Sequence, residues 1–335
     1  MEGSKIIITK TPLRITFAGG GSDLASYYEN HKSTCISATI NKYVYVLVKK
    51  RFDKQVYLKY SDNEVVDVNN LDDIQHDFIR ETLKYMGVDY GIEIINWADI
   101  PTKGTGLGSS SSFLVGLLLA IHTLEGRAVS KKELAEQACK IEIDLCEKPI
   151  GVQDQFAAAF GGFNEMIFTK NSKEVFTVPF NDQTLRNISD HLSLFFTGIT
   201  RESKEILSVQ NKNLKHDTML QTMHDNVKLA EQLARDLFTQ NSTSIKTTLQ
   251  KNWELKKQFV KTISNSKLDI MHEKALKAGG AFAGKIIGAG GGGFFMFWSD
   301  DQQRLRNALG DYQELPFIID KYGSRVVINM ENLSW

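Results

Sequence analysis

The chain has little cysteine, little proline, no excess of either charge and no long apolar run. Its three cysteines, Cys35, Cys139 and Cys146, are an odd set without metal-ligand spacing. On one helix, Cys139 and Cys146 would lie two turns apart, roughly 10 Å, too far for a bridge. A disulfide framework and a cysteine-held zinc site are thereby excluded. The expectation is buried thiols in a reducing cytoplasm, and hence a cytoplasmic protein. There are only five prolines, no low-complexity tail and no repeat at solenoid periods. Forty basic residues balance forty acidic ones, so no broad field draws the chain to nucleic acid or an anionic membrane. The longest apolar run, Phe113–Ile121, is far shorter than the ~20 residues that span a bilayer. Met1–Arg14 lacks the apolar core of a signal peptide, and no two histidines stand at ligand spacing. What remains is an ordinary globular composition, 42% apolar and 24% charged over 335 residues, a length that suggests two domains.

Against that plain background one stretch stands out: Pro101-Thr-Lys-Gly-Thr-Gly-Leu-Gly-Ser-Ser-Ser-Ser112, running directly into Phe113–Ile121. It reads as a glycine loop opening a helix. A helix start carries unpaired N–H groups and partial positive charge, so it draws anions. Glycine lets the backbone approach a ligand, and serine offers hydroxyls to phosphate or a metal. The pattern implies a phosphate cradle for a nucleotide, over Gly104, Gly106, Leu107, Gly108, Ser109, Ser110 and Ser111, with Lys103 just before them. It is not a Walker loop, which needs Gly-Lys-Ser/Thr at its end, and the protein-kinase motif set is absent. A flexible linker would not lead at once into a helix apolar on nearly all sides. Gly288, Gly290 and Gly293 match Gly-x-Gly-x-x-Gly, but Phe294–Trp298 after them reads as a strand, so a dinucleotide fold is rejected.

Periodicity predicts strands at Lys5–Thr9 and Arg14–Ala18 and a loop at Gly19–Asp23. Strands follow at Tyr43–Lys50, Gln55–Tyr60 and Gly91–Trp97, with an amphipathic helix at Asp72–Met86 between them. The helix at Ser109–Leu124 should stop at Gly126. Ser130 and Glu133 form a capping-box signature for a helix over about 131–147. After short strands at Met166–Phe168 and Val175–Val178 the texture changes. A strand at His191–Phe196 precedes long helical patterns at Glu202–Asn211, His216–Thr239 and Ser242–Thr262. Leu268–Lys277 should be helical, Phe294–Trp298 a strand and Gln302–Leu309 a helix, with closing strands at Pro316–Asp320 and Ser324–Met330. Strands and helices mix without regular alternation, so the fold class is α+β with two domains, 1–185 and 186–335.

Several residues carry candidate chemistry, each beside a plain structural alternative. Asp154, in Gly151-Val-Gln-Asp-Gln-Phe156, is a carboxylate among small and apolar neighbours, either a general base or a helix N-cap. Glu142 suits a magnesium ligand beside phosphates, or is a solvated helix residue. Arg14, flanked by apolar residues on a strand, calls for a carboxylate or phosphate partner unless it is an edge-strand surface charge. Asp23 reads first as a cap for a helix at Leu24–Tyr28. The glycine density of Lys285–Phe294 destabilises a fold unless something needs the space.

Three segments together resemble the GHMP kinases, small-molecule kinases named for galactokinase, homoserine, mevalonate and phosphomevalonate kinases. They are Pro12-Leu-Arg-Ile-Thr-Phe-Ala-Gly-Gly-Gly-Ser-Asp23, residues 101–112 and residues 285–294, in the family's order. The resemblance implies an N-terminal domain like domain 2 of ribosomal protein S5 and a ferredoxin-like C-terminal domain. It implies ATP and Mg²⁺ as cofactors and a small sugar phosphate as partner, and leaves homodimerisation open. Within the family, the likeness is nearest to the branch that acts on a heptose 7-phosphate at its anomeric hydroxyl, supplying nucleotide-activated heptose. Carried over, Asp154 is the base with Arg14 beside it, and Ser110 and Glu142 are the metal ligands. Gly20, Gly21, Ser22 and Asp23 contact the sugar, joined by Gly290, Gly291 and Gly292 of the second glycine loop. Arg201, Lys204 and Lys285 are candidates for its phosphate, and Trp97 for the adenine. The competing readings are another sugar 1-kinase acting on L-fucose or galactose, a non-catalytic ligand-sensing paralogue, and a decarboxylase of the mevalonate diphosphate type.

Overall fold

The computed structural model describes residues 5–101, 104–200, 203–214 and 216–331. The first layer holds β1 (Lys5–Ala18), a short helix α1 (Ala25–Tyr28), β2 (Ser33–Lys50), β3 (Gln55–Lys59) and β4 (Asn63–Asp67). It continues through α2 (Asp77–Met86), β5 (Ile92–Ala98), α3 (Ser109–Leu124), α4 (Lys131–Cys139), α5 (Gln153–Phe160), β6 (Phe163–Phe168) and β7 (Lys173–Thr177). Then come α6 (Asp182–His191), β8 (Leu192–Phe196), α7 (Ser203–Asn213), α8 (Asp217–Phe238), α9 (Ser244–Phe259) and α10 (Ser266–Lys277). The chain ends with β9 (Ala283–Ile286), β10 (Phe294–Trp298), α11 (Gln302–Ala308), β11 (Glu314–Leu315) and β12 (Arg325–Glu331).

One mixed sheet has the order β12-β1-β2-β5-β3-β4, with β6 also on β2 and β7 on β6. A second, antiparallel sheet has the order β11-β8-β10-β9. Strands and helices mix in both, so the class is α+β. The two strands read at Lys5–Thr9 and Arg14–Ala18 are one strand of 14 residues. Its ladder to β2 shifts register at Pro12/Leu13, where proline has no N–H to give and its fixed φ breaks the pattern. The last strand pairs with β1, so residues 325–331 lie in the first sheet although the sequence reading grouped them with the second unit. Pro316–Asp320 forms only an isolated bridge, Ile319 to Ile40. The sequence reading missed α6, which Asn181 caps by accepting from the Thr184 N–H at 2.8 Å.

Helix α3 packs against β1, β2, α4 and α5, which is why its residues are apolar all round. The Ser130–Glu133 capping box is formed. After Cys139 the helix widens into a π-helical turn, Lys140–Leu145, a device found often at functional sites. It turns Glu142 inward. Among the described residues no helix is long and apolar enough to cross a membrane.

Candidate active site

A cleft of about 540 Å³ opens where the loops after β1 and before α3 meet α5, α7 and α9. Gly104, Gly106, Gly108, Ser109, Ser110 and Ser111 line one part of it. Gly108 is the N-cap of α3 at φ +78°, with no side-chain cap. The first turn of a 16-residue helix therefore faces the cleft with its dipole. Gly108 is constrained twice: φ is left-handed, and a Cβ would lie 3.3 Å from both Asp154 Oδ2 and Arg14 Cγ.

Asp154 sits in the first turn of α5, beyond its N-cap Val152. The N-cap alternative is thus overturned: its carboxylate turns to Arg14. Arg14 Nε donates to Oδ1 at 2.8 Å and Nη2 to Oδ2 at 2.6 Å, while Nη1 donates to the Gly106 carbonyl at 2.5 Å. The arginine is buried on an interior strand, not an edge, and the carboxylate side chain keeps 20% of its surface exposed. One guanidinium thus ties the carboxylate to the glycine loop.

Glu142 is buried rather than solvated, at 2% exposure. Its Oε2 accepts from Ser111 Oγ and Gln155 Nε2, both at 2.7 Å. Burial pushes its carboxyl up to about 7 against the pull of those two hydrogen bonds. Ser110 is the exposed serine of the cradle and lines the same cleft as Glu142. Among the described residues no cluster of three or more acidic, histidine or cysteine side chains could hold a metal by itself.

Asp23 does not cap α1, whose N-cap is Leu24. Its Oδ1 accepts from the Gly21 N–H at 2.9 Å and Gln153 Nε2 at 3.0 Å, and its Oδ2 from the Gln153 N–H at 3.3 Å. Burial, and then the charge of Asp154, raise its carboxyl above the usual range. Gly20, Gly21 and Asp23 line the cleft; Ser22 does not. The Ser22 hydroxyl points into the core, donating to the Gly19 carbonyl at 2.8 Å and meeting Ser33 Oγ at 2.7 Å.

Other sequence assignments also move. Leu107 is fully buried, and its carbonyl takes the Arg14 N–H at 3.0 Å. Trp97 is 45% exposed and stacks on Tyr45, away from the cleft, while its neighbour Asn96 lines it. Successive strand residues face opposite ways, so an adenine contact at 97 would lie across β5 from the cleft wall at 96. Gly290, Gly291 and Gly292 lie outside the cleft wall, against Ile263 and Ile199. The second loop approaches the first instead: a Cβ on Gly288 would sit 2.7 Å from Gly106 Cα, and one on Gly293 2.5 Å from the Thr105 carbonyl. Lys285 does reach the cleft, buried, with Nζ donating to the Thr16 and Phe17 carbonyls at 2.9 and 3.0 Å. Lys103 and Arg201 lie outside the described residues, as does the Lys204 side chain.

The sequence reading gave no site role to His76, Phe78, Phe113, Gln210, Asn252 or Lys256, all of which line the cleft. His76 caps α2, accepting from the Ile79 N–H at 3.5 Å, and packs on Tyr60 and Phe113. Its run-up to an amphipathic helix was the signal available. Lys256 falls on the mostly apolar side of its helix, where a charge was itself the anomaly.

Comparison with known proteins agrees with this geometry. The family model for the GHMP kinase N-terminal domain matches residues 75–162, and that for the GHMP kinase C-terminal region matches residues 229–315. D-glycero-alpha-D-manno-heptose 7-phosphate kinase of Campylobacter jejuni is 31% identical over 334 residues, covering 93% of this chain and 97% of the relative. A crystal structure of a D-glycero-D-manno-heptose 1-phosphate kinase from Bacteroides thetaiotaomicron superposes with a TM-score of 0.79 at 23% identity, over 96% and 99% of the two chains. Lactococcus lactis galactokinase, complexed with galactose, gives 0.77 at 19% identity over 96% and 95%. At these identities the two structures establish a shared fold. Two family domains in chain order, and a relative matched along almost its whole length, establish the rest: the chain belongs to the GHMP kinases.

Proposed function

We propose that this phosphotransferase moves the γ-phosphoryl group of ATP to the anomeric hydroxyl of D-glycero-D-manno-heptose 7-phosphate, giving the 1,7-bisphosphate. The observation that carries the reading is the contact through Gly108. A Cβ there would stand 3.3 Å from Asp154 Oδ2, so a triphosphate on the α3 tip and a hydroxyl on Asp154 would lie in adjacent space. The sugar and its phosphate are read from the 31% identical relative, whose name gives that acceptor.

Phosphoryl transfer asks for alignment and charge neutralisation more than covalent help. Backbone N–H groups from Gly106 to Ser110 grip the donor phosphates. Asp154 takes the proton of the attacking hydroxyl; a carboxylate has lone pairs beyond the two bound by Arg14. Arg14 fixes the direction of that carboxylate and holds it to the cradle. Asp23, itself held by Gly21 and Gln153, orients sugar hydroxyls. A Mg²⁺ would fit the donor set: one Glu142 oxygen takes the Ser111 and Gln155 hydrogen bonds, the other has none among the described residues, and Ser110 lines the same cleft, so Glu142 and Ser110 would hold the ion. When bound, that ion neutralises phosphate charge. His76, Phe78 and Phe113 provide aromatic surface for the base.

An ADP-release assay over heptose 7-phosphate, L-fucose, galactose and mannose tests the acceptor. Preference for any unphosphorylated sugar overturns the heptose phosphate reading. Ser110→Ala should raise the Mg²⁺ concentration needed for half-maximal turnover several-fold, and an unmoved titration would remove Ser110 from the metal site.

A further inference from the structure

Among the described residues, two lysines in the cleft wall have backbone carbonyls and no carboxylate as partners. Lys256, on α9, donates to the Ile286 carbonyl at 3.0 Å and to the Gly288 carbonyl. Lys285, on β9, donates to the Thr16 and Phe17 carbonyls. Both side chains line the cleft. Among the described residues no carboxylate stands within ion-pair distance of either, whereas exposed lysines such as Lys32, Lys274 and Lys277 are paired. A buried ammonium without a counter-ion is costly, and removing the cost takes either deprotonation or an anion. An ammonium group has three N–H donors and each lysine uses two on carbonyls, so one on each is left. In the same cleft Gln210 of α7 is 4% exposed, lies over Gly21, and its side-chain nitrogen has no hydrogen-bond partner among the described residues.

We propose that Lys256, Lys285 and the Gln210 amide form a phosphoryl-binding site in the cleft wall between the second glycine loop and β1, in addition to the N–H groups of the α3 cradle. The inference rests on the acceptor reading above only for the name of the sugar. Arg14, which directs Asp154, and Thr16, whose carbonyl holds Lys285, both belong to β1, so one strand carries the partner of the base and the partner of a site lysine. Burial, then the charges of Lys256 and Arg14, holds Lys285 well below the usual lysine range. Burial and Arg14 bring Lys256 down to about 7. An arriving phosphate dianion would recharge both.

Two phosphoryl groups reach this cleft, the acceptor's own and the one in transfer, and the test separates them. The ADP-saturated protein is titrated with inorganic phosphate by calorimetry, as wild type, Lys256→Met and Lys285→Met. Wild type should bind phosphate, and each variant should bind it about ten- to a hundredfold more weakly. A wild-type far-ultraviolet dichroism spectrum and a single cooperative urea transition certify the fold of each variant, and Gln210→Leu gives a third, uncharged removal. Absence of phosphate binding in wild type, or equal binding in folded variants, overturns the site. Steady-state kinetics then assign the source. If kcat/KM for heptose 7-phosphate relative to mannose drops at least tenfold, the acceptor's phosphate is the ligand. If kcat falls with that ratio preserved, the transferred group is. A panel that rejects heptose 7-phosphate while phosphate binding survives would sink the acceptor reading and leave the site standing.

Discussion

Residues 104–108 open onto the cleft and hand the chain to a helix, whereas residues 288–293 turn most of their glycines toward other backbone and hand it to a strand. The composition of the two loops is nearly the same. What differs is the element that follows. A helix leaves its first N–H groups unpaired and pointing out of the loop, so glycine there gives a ligand access. A strand such as β10 pairs with β8 and β9, so the glycines before it serve close approach of one chain segment to another. Here the approached segment is the first loop, through Gly106 and Thr105. Gly288 and Ala289 reach the cleft wall, and the rest of the second loop acts at one remove, through the shape of the first.

The sharpest way to test that division is to remove chemistry without touching either loop. Asp154→Asn keeps the side-chain shape beside Gly108, gives up one of the two hydrogen bonds from Arg14, and abolishes the base. A fall in kcat of about 10²–10⁴ is expected, with nucleotide affinity by calorimetry within a few-fold of wild type. Turnover near wild type would detach the carboxylate from the reaction.

Next come paired alanines, one in each loop. Gly108→Ala places a methyl against Asp154 and Arg14 at a left-handed φ. It should lower kcat by about tenfold to a hundredfold through misplacement, with a stability loss of about 1–2 kcal/mol. Gly293→Ala puts its Cβ on the Thr105 carbonyl, again at a left-handed φ. That change should cost about 2–4 kcal/mol in urea melts and weaken nucleotide binding as a consequence. Should Gly293→Ala leave stability untouched and reduce only kcat, the contrast between the loops fails.

Much of this was legible in the chain because its signals are local. The α3 start, the Ser130–Glu133 box and the strand after Gly293 each declare themselves within a few residues. The wrong assignments needed information that local pattern lacks. Trp97 and Asn96 cannot be sorted until it is known which face of β5 meets the cleft. Ser22 and Asp23 are adjacent, yet one hydroxyl enters the core and one carboxylate the site. Glu142 looked solvated because its widened turn breaks the helical period. Gln210, Asn252 and Lys256 acquire roles only when α7 and α9 are brought against Gly20, Gly21 and Gly288, hundreds of residues or a whole loop away.

Lys256 anchors the second loop through Gly288, and its titration gives a moderate effect. Burial first, then Arg14, depress it from 10.5 to about 7. Between those values the unfolded chain holds a proton that the folded protein lacks, so stability falls as pH drops from about 10.5 and levels off near 7. Lys256→Met removes this dependence. In urea melts without phosphate, the variant should gain about 1–3 kcal/mol on wild type in going from pH 9.5 to pH 6. A difference that does not move with pH would mean that the loop's anchor never carries a buried charge.

The smallest effect concerns the first loop's neighbour, β5. Trp97 stacks on Tyr45 outside the cleft, and Asn96 faces inward. Trp97→Ala should therefore change ATP affinity by less than twofold. His76 offers the contrast, since its ring, lodged against Phe113 and lowered in basicity by burial, lines the cleft. His76→Asn retains a side-chain acceptor for the Ile79 N–H at the α2 cap and deletes only the ring. If base stacking occurs there, nucleotide affinity measured by calorimetry should fall about fivefold or more. A larger loss at 97 than at 76 would place the base on the outer face of β5. The α3 tip would then be gripping a triphosphate whose nucleoside leaves the cleft over the sheet, beyond the contacts that the second loop makes with Gly106 and Thr105.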